Sequence, residues 1–360
     1  YQLVFTRVGE DVRNALRGAY AHVADDVVIL GSVEERVLSL MYRHCEVFFF
    51  PSLYEGFGLP VIEAMALGAP VLTSSLGSLH EVVHDPRILF DPRDKPASTE
   101  ILRRALTDAG FRQVMTAGAR EHALSFSWEK CAALALSAIR EKLAERRTYP
   151  HVAPGWMPEP SEIECLADVI PVASGMDVQL QTSLQRIANG GRRRILVDIG
   201  EVIRIGAWSG IQRVVRNILI GLHRLASETQ HFSVEPIHMT AEGMRFGRSF
   251  ARESLGLQIV GDDDDVRFES DDLLFMLDSS WESPQRFEPI YRDLRAAGGE
   301  IVWAVYDLVP ILMPHFCIEQ MHPIFSAWLE SVAANSDGCV CISRATEQDL
   351  ISHFKTIVQD

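Results

Sequence analysis

PSLYEGFGLPVIEAMALGAPV, residues 51–71, decides the fold class of this chain. A short apolar run, EVFFF (46–50), precedes it and reads as a buried parallel strand. Strand, glycine turn and helix in that order are one step of an α/β sheet. They also form an anion site, because the N–H groups of the first helical turn have no partners inside the helix and its dipole favours negative charge there. Gly56 and Gly58 allow backbone to approach a ligand closely, and Pro60 suits the first helical position, where a missing N–H costs nothing. Glu63, one turn into the helix, is placed to accept two hydrogen bonds from a vicinal diol such as a ribose, and Glu55 lies on the loop beyond the phosphates. A nucleoside diphosphate carrying a sugar fits this arrangement. The same residues also fit an ordinary strand-to-helix turn whose two acids complement the helix dipole.

The residues around this stretch carry a resemblance. Glu55 and Glu63 form an E-x7-E pattern inside PS-x-YEGFGLP-x-IEAMA-x-G-x-PV, followed by TSSLGSLHEVV (73–83), the DP of LFDP (89–92) and FSW (126–128). Over residues 1–145 the chain resembles the donor-binding half of retaining glycosyltransferases of family 4, the glycosyl transferases group 1 with GT-B architecture. The resemblance implies that Glu55 lies at the hexose and catalytic centre. Gly56, Phe57, Gly58 and Leu59 would lie near the phosphates, and Glu63 would bind the nucleotide ribose. Ser74, Ser75 and Glu81 are further donor-side candidates. A turn with a helix cap explains the serines equally, and a charge at a helix N-terminus explains Glu81.

The whole chain reads as α/β, with two Rossmann-like doubly wound domains. In the first, strands are expected at 2–6, 27–31, 46–50, 70–74 and 87–90, and helices at 10–23, 33–44, 96–109, 111–124 and 127–144. A proline-containing linker follows at 146–192, with an isolated amphipathic segment near 177–188. A second α/β pattern occupies 193–360. Its strands are expected at 195–199, 232–238, 273–278, 301–307 and 338–343, and its first helix at 211–225, after the loop GAWSG (206–210). The acidic run Asp262–Asp265 reads as a solvated turn and lacks the spacing of a calcium loop.

LVDI (196–199), SGIQRVVRNIL (209–219), LLFMLDSSW (273–281), VYDLVP (305–310) and CISRAT (341–346) make the second part similar to the acceptor-side half of the same family. That resemblance places Ser209 and Gly210 toward the donor phosphates and acceptor, and Arg213 and Arg216 on the first turns of the next helix. Surface ion pairing is the competing role for the two arginines. Asp307 ends a strand at a loop, where open α/β sheets place ligands. Many relatives carry histidine just before that aspartate, and this chain has Tyr306.

A GT-B enzyme runs acceptor half first, whereas this chain runs donor half first. Two tandem transferases, cut between them, are the simpler account, and a permuted enzyme is the other. Tyr1 falls inside an expected strand, so the chain reads as a slice of a longer polypeptide. The arginine and lysine that the family directs at the diphosphate would lie before Tyr1, so the first unit alone is expected to bind donor weakly.

The expected activity is retaining, metal-independent hexosyl transfer from a nucleotide-diphosphate sugar, with GDP-mannose as the donor the resemblance points to. No resident cofactor is expected, and no D-x-D triad is placed for a metal. The acceptor expectation is a growing glycan or lipid-linked oligosaccharide of bacterial surface polysaccharide. Paired glutamates also occur in glycoside hydrolases, but a phosphate-loop acid and a helix acid do not naturally flank a glycosidic bond. The contrasting class is a nucleotide-sugar-binding or scaffolding segment.

At 360 residues, with 47% hydrophobic and 23% charged residues, the chain is long enough for two cored domains. A net charge of −15 argues against a general nucleic-acid binder and gives no help to broad adsorption on anionic membranes, although Arg192–Arg194 leaves room for a local basic patch. No apolar run approaches the ~18 residues of a membrane span, and no signal peptide is visible. The expected location is cytoplasmic, with peripheral contact to a membrane or a polysaccharide-assembly complex. Six cysteines without metal spacing read as buried free thiols, Cys339 and Cys341 on one face of a strand.

Overall fold

The computed structural model describes residues 1–6, 10–83, 85–146, 192–205, 210–229, 231–282 and 284–359. Ser209, most of the expected linker and the expected helix at 177–188 lie outside the described residues. The chain divides into two compact units, Tyr1–Leu53 with Gly58–Ser125, and Tyr54–Phe57 with Phe126–Asp360.

In the first unit, β1 (Leu3–Thr6) pairs in parallel with β2 (Val27–Leu30). Strands β3 (Phe48–Phe50), β4 (Val71–Ser74) and β5 (Leu89–Phe90) form a second parallel sheet in that order. The expected sheet therefore has two hydrogen-bonded parts. Every residue of β4, the central strand, is buried. β3, read from its apolar sequence as buried, is half-buried, because an edge strand has a neighbour on one side only. Its rings still find partners: Phe48 meets Tyr42 edge-on at 5.1 Å, and Phe49 stacks on Phe90 at 5.0 Å.

The helices of this unit are α1 (Glu10–Arg17), α2 (Glu35–His44), α3 (Leu59–Ala66), α4 (Leu79–Val82), α5 (Lys95–Thr107), α6 (Ala109–Thr116) and α7 (Ala119–Leu124). The helix expected over 10–23 ends at Arg17, and the one expected over 111–124 is two short helices. Starts are marked by side chains, since Asp94 accepts from the Ala97 N–H and Asp108 from the Phe111 N–H, each at 3.0 Å. Val61, Met65, Leu72, Leu79, Val82 and Ile88 fill the core.

The second unit holds one six-stranded sheet of β6 (Arg193–Asp198), β7 (Phe232–Met239), β8 (Met244–Phe246), β9 (Leu273–Met276), β10 (Glu300–Val305) and β11 (Gly338–Cys341). Its order is β11-β10-β9-β6-β7-β8. All pairings are parallel except β8 on β7, in register Ile237↔Phe246. Counted within the unit this is the doubly wound order 3-2-1-4-5-6, which reverses between β6 and β9. Sequence reading missed β8 because three residues are too few to show alternation.

Around the sheet lie α8 (Trp128–Arg146), α9 (Gly200–Ile205), α10 (Gly210–Thr229), α11 (Arg248–Leu255), α12 (Glu288–Ala296), α13 (Val309–Leu312), α14 (Met321–Asn335) and α15 (Arg344–Gln359). Helix α8, expected to close the first unit, falls in the second and packs on α10. An aromatic core of Tyr291, Trp303, Phe325 and Trp328 backs the sheet, with Trp303 and Trp328 edge-on at 5.7 Å.

The arginine triplet at the start of β6 is not a free basic patch. Arg193 is paired with Glu300, and Arg194 is bonded to Asp272 at 2.6 Å and to Glu269 at 3.0 Å. In the acidic run, Asp263 accepts from the Ser249 N–H at 3.0 Å and so anchors the start of α11. Among the described residues, the five cysteines are free thiols and half-buried rather than buried. No helix among them is long and apolar enough to cross a membrane.

Candidate functional site

In the first unit the glycine turn delivers the chain from β3 into α3. Gly58 is the N-cap of α3 and has φ +97°, a left-handed backbone that costs an L side chain about 1–2 kcal/mol. A Cβ there would also lie 2.6 Å from Leu79 Cδ2, so a larger residue would have to displace that side chain as well. Leu59 opens the helix and Pro60 takes its second position, one later than expected. The first turn thus loses one N–H to proline but keeps those around it. Glu63 sits one turn on, half-buried. Ser74 is fully buried at the end of β4, where its hydroxyl accepts from the Leu76 N–H at 3.0 Å, while Ser75 is exposed. Glu81 lies in the first turn of α4, half-buried.

Tyr54–Phe57 belong to the second unit, and their packing there explains the sequence. A Cβ on Gly56 would lie 2.1 Å from the Tyr306 carbonyl oxygen and 3.2 Å from Asp307 Cβ, so only glycine fits. Tyr54 donates to Asp349 Oδ2 at 2.7 Å, and burial followed by that bond pushes its phenol well above the ordinary value. Phe57 meets Phe126 edge-on at 5.9 Å. Thr346 Oγ1 lies 3.4 Å from both Gly56 O and Tyr306 O, and Ser343 Oγ accepts from the Thr346 N–H at 3.1 Å at the start of α15. Glu55 is half-buried in this loop.

Asp307 follows β10 and accepts from the Val309 N–H at 3.0 Å, with burial raising its carboxyl. The structure therefore brings Gly56 and Asp307 together. Tyr306 is buried and donates to Leu277 O at 2.6 Å, so it is a strut between strand ends. Gly210 begins α10 and is exposed, with Arg213 half-buried one turn on. Arg216 is buried rather than on the surface, its guanidinium 5.5 Å from the Phe250 ring centre.

Sequence reasoning did not single out a pair of buried acids at the order reversal of the second sheet. Asp198 ends β6 and Asp278 follows β9. Asp198 accepts from the Gly200 N–H at 3.1 Å and from the Ser280 hydroxyl. Asp278 accepts from the Val202 N–H at 2.7 Å and the Ser279 N–H at 2.8 Å. Burial and the neighbouring Asp278 raise Asp198 to about 7, and burial raises Asp278 as well. The available signal was an aspartate ending each of two apolar runs, ILVD and LLFMLD.

Comparison with known proteins agrees with this geometry. Residues 9–122 match the family model described as "Glycosyl transferases group 1". The chain is 29% identical over 341 residues to the serotype-specific mannosyltransferase WbdA of Escherichia coli, in a match covering 93% of this chain and 41% of that protein. It is 40% identical over 111 residues to the O-antigen chain mannosyltransferase B of Escherichia coli, covering 31% of this chain and 29% of that one. A D-inositol 3-phosphate glycosyltransferase of Salinispora tropica is 38% identical over 113 residues, 31% of this chain and 23% of its own. The chain thus spans about two fifths of the length of that WbdA relative. With the E-x7-E turn inside the matched residues and parallel α/β sheets in both units, the chain carries at residues 9–122 a domain of the glycosyl transferases group 1 family.

Proposed function

We propose that the protein to which this chain belongs is a retaining glycosyltransferase. It would move a hexose, mannose first among candidates, from a nucleotide-diphosphate sugar such as GDP-mannose to a growing glycan or lipid-linked oligosaccharide of bacterial surface polysaccharide. The observation that carries this reading is the turn from β3 to α3: Gly58 caps the helix in a left-handed conformation and Glu63 follows one turn later, inside the matched family domain. In this reading the diphosphate rests on the N-terminal turn of α3, with Gly56, Phe57 and Leu59 beside it, and Glu63 holds the ribose diol. Glu55 stands at the hexose. Departure of the nucleoside diphosphate builds negative charge that preorganised N–H groups and cationic side chains stabilise without a metal ion.

Ser74, Ser75 and Glu81 complete the donor side, and Ser209, Gly210, Arg213 and Asp307 serve the acceptor side of a following transferase. That division makes residues 1–145 a donor half, 146–192 a linker and 193–360 an acceptor half, the tandem order. The single match running through both halves of this chain and through a mannosyltransferase supports it. The names of two matched relatives point to mannose and to O-antigen. The work would take place at the cytoplasmic face of the membrane, by peripheral contact.

The test is Glu55→Ala in the full-length protein, assayed for transfer from GDP-mannose into polymer. Loss of transfer by at least 100-fold, about 3 kcal/mol of transition-state stabilisation, with the protein folded and expressed normally, is expected. Normal glycan synthesis by this variant would instead make the segment a scaffold.

A further inference from the structure

Tyr54–Phe57 is held within the second unit on both sides of Glu55. Before the glutamate, the Tyr54 hydroxyl donates to Asp349 Oδ2 at 2.7 Å and accepts from the Leu308 backbone N–H. After it, the Gly56 backbone rests on the Tyr306 carbonyl, so closely that a Cβ would come within 2.1 Å of that oxygen. The Gly56 carbonyl oxygen also lies 3.4 Å from the Oγ1 of Thr346, a fully buried residue.

The points of attachment are themselves fixed by the core. Tyr306 and Leu308 are buried just after β10, and Leu350, next to Asp349 in α15, belongs to the hydrophobic cluster that backs the sheet. Ser343 and Thr346, at the start of the same helix, lie 3.0 Å apart through their hydroxyls. Consecutive Cα atoms are held about 3.8 Å apart by planar peptides. With Tyr54 and Gly56 tied down, the Cα of Glu55 keeps little freedom beyond rotation about the line joining its neighbours.

A tyrosine that only filled space would need no hydroxyl. Here that hydroxyl uses both its proton and a lone pair, and its acceptor is a carboxylate, the stronger class of hydrogen bond. Tyr54 and Asp349 are 295 residues apart in sequence, so this bond ties the glutamate's loop to a distant part of the chain. We propose that Tyr54 and Asp349 are positioning residues for Glu55, their hydrogen bond fixing where its carboxylate stands during transfer. The proposal rests on the reading above that Glu55 serves the hexose. It gives the second unit a further task, since the residues that place Glu55 are 306–308, Thr346 and Asp349.

The experiment measures initial rates of transfer from GDP-mannose to a short mannose oligosaccharide by the full-length protein, with thermal melting of each variant. Tyr54→Phe keeps the ring and removes the hydroxyl. It is expected to lower kcat roughly tenfold or more, with the donor KM changed less than about twofold, because a group displaced by about 1 Å loses on the order of 100-fold in rate. Asp349→Ala is expected to match it, and the double variant to be no worse than either single one, as two ends of one interaction require. Asp349→Asn, which keeps an oxygen for the Tyr54 hydroxyl, is expected to restore most of kcat. Asp349 is half-buried, so this variant keeps the fold even where Tyr54→Phe does not. Lowered melting temperature with full kcat in Tyr54→Phe and Asp349→Ala overturns the proposal, since the pair would then serve packing alone. Multiplying losses in the double variant overturn it as well. Glu55→Ala is assayed in parallel. Its inactivity beside a fully active Tyr54→Phe defeats this inference alone, whereas full transfer by Glu55→Ala defeats the catalytic reading and this inference with it.

Discussion

Asp198 shows how one buried acid couples folding to pH. Its pKa rises from 3.8 to about 7, first through burial and then through the charge of Asp278. The folded state therefore holds that proton more tightly than the unfolded chain. Between pH 4 and 7 the native protein binds more protons, so this group's contribution to stability falls as pH rises and is lost above 7. Asparagine keeps an acceptor for the Gly200 N–H and removes the charge. Asp198→Asn should be more stable than wild type at pH 8, by an amount on the order of 2–4 kcal/mol at roughly 1.4 kcal/mol per pKa unit. The difference should vanish below pH 4, and thermal melts across pH check it: an offset independent of pH would refute the raised pKa. Glu55 and Glu63 were legible in the sequence because a spacing around glycines named them. Asp198 was not, since an acid ending an apolar run looks like any strand terminus until the fold shows what surrounds it.

At the scale of elements, α8 and α10 cross closely. A Cβ on Gly221 would lie 2.5 Å from Ala132 Cβ, and Ala132, Ala135, Leu136 and Ile139 form the buried face of α8. In an exposed helix Gly→Ala stabilises by about 1 kcal/mol, but at this crossing overpacking costs about 1–3 kcal/mol. Gly221→Ala should therefore destabilise the protein, with a lower midpoint in urea, and Ala132→Gly added to it should recover part of the loss. Additive destabilisation by the two changes would show that the helices do not meet at these residues. Apolar periodicity gave both helices within a few residues. It did not give their pairing, because α8 follows the first unit in sequence and its partner lies beyond the linker.

Across the whole molecule, the net charge of −15 sets what the surface attracts. The basic triplet Arg192–Arg194 does not offset it, because two of its members are paired with Glu300, Asp272 and Glu269. The protein should give no mobility shift with duplex DNA or single-stranded RNA at about 0.15 M salt, where a polyanion is weakly screened over several ångströms. A shift that weakens as salt rises would reveal a basic face that the charge count conceals.

The sequence by itself determined the α/β class, the strands of both units other than β8, and the glycine turn with its two glutamates, because these are written in local periodicity and short spacings. Tertiary structure decided what the spacings could not encode. It divided the residues of 51–71 between two units, with Gly56 against the Tyr306 carbonyl and Gly58 capping α3. It set the 3-2-1-4-5-6 order that brings Asp198 and Asp278 together from 80 residues apart in sequence. The physical reason is that strand order and burial depend on which apolar faces find each other, and a buried carboxylate acquires its character only from the neighbours that burial supplies.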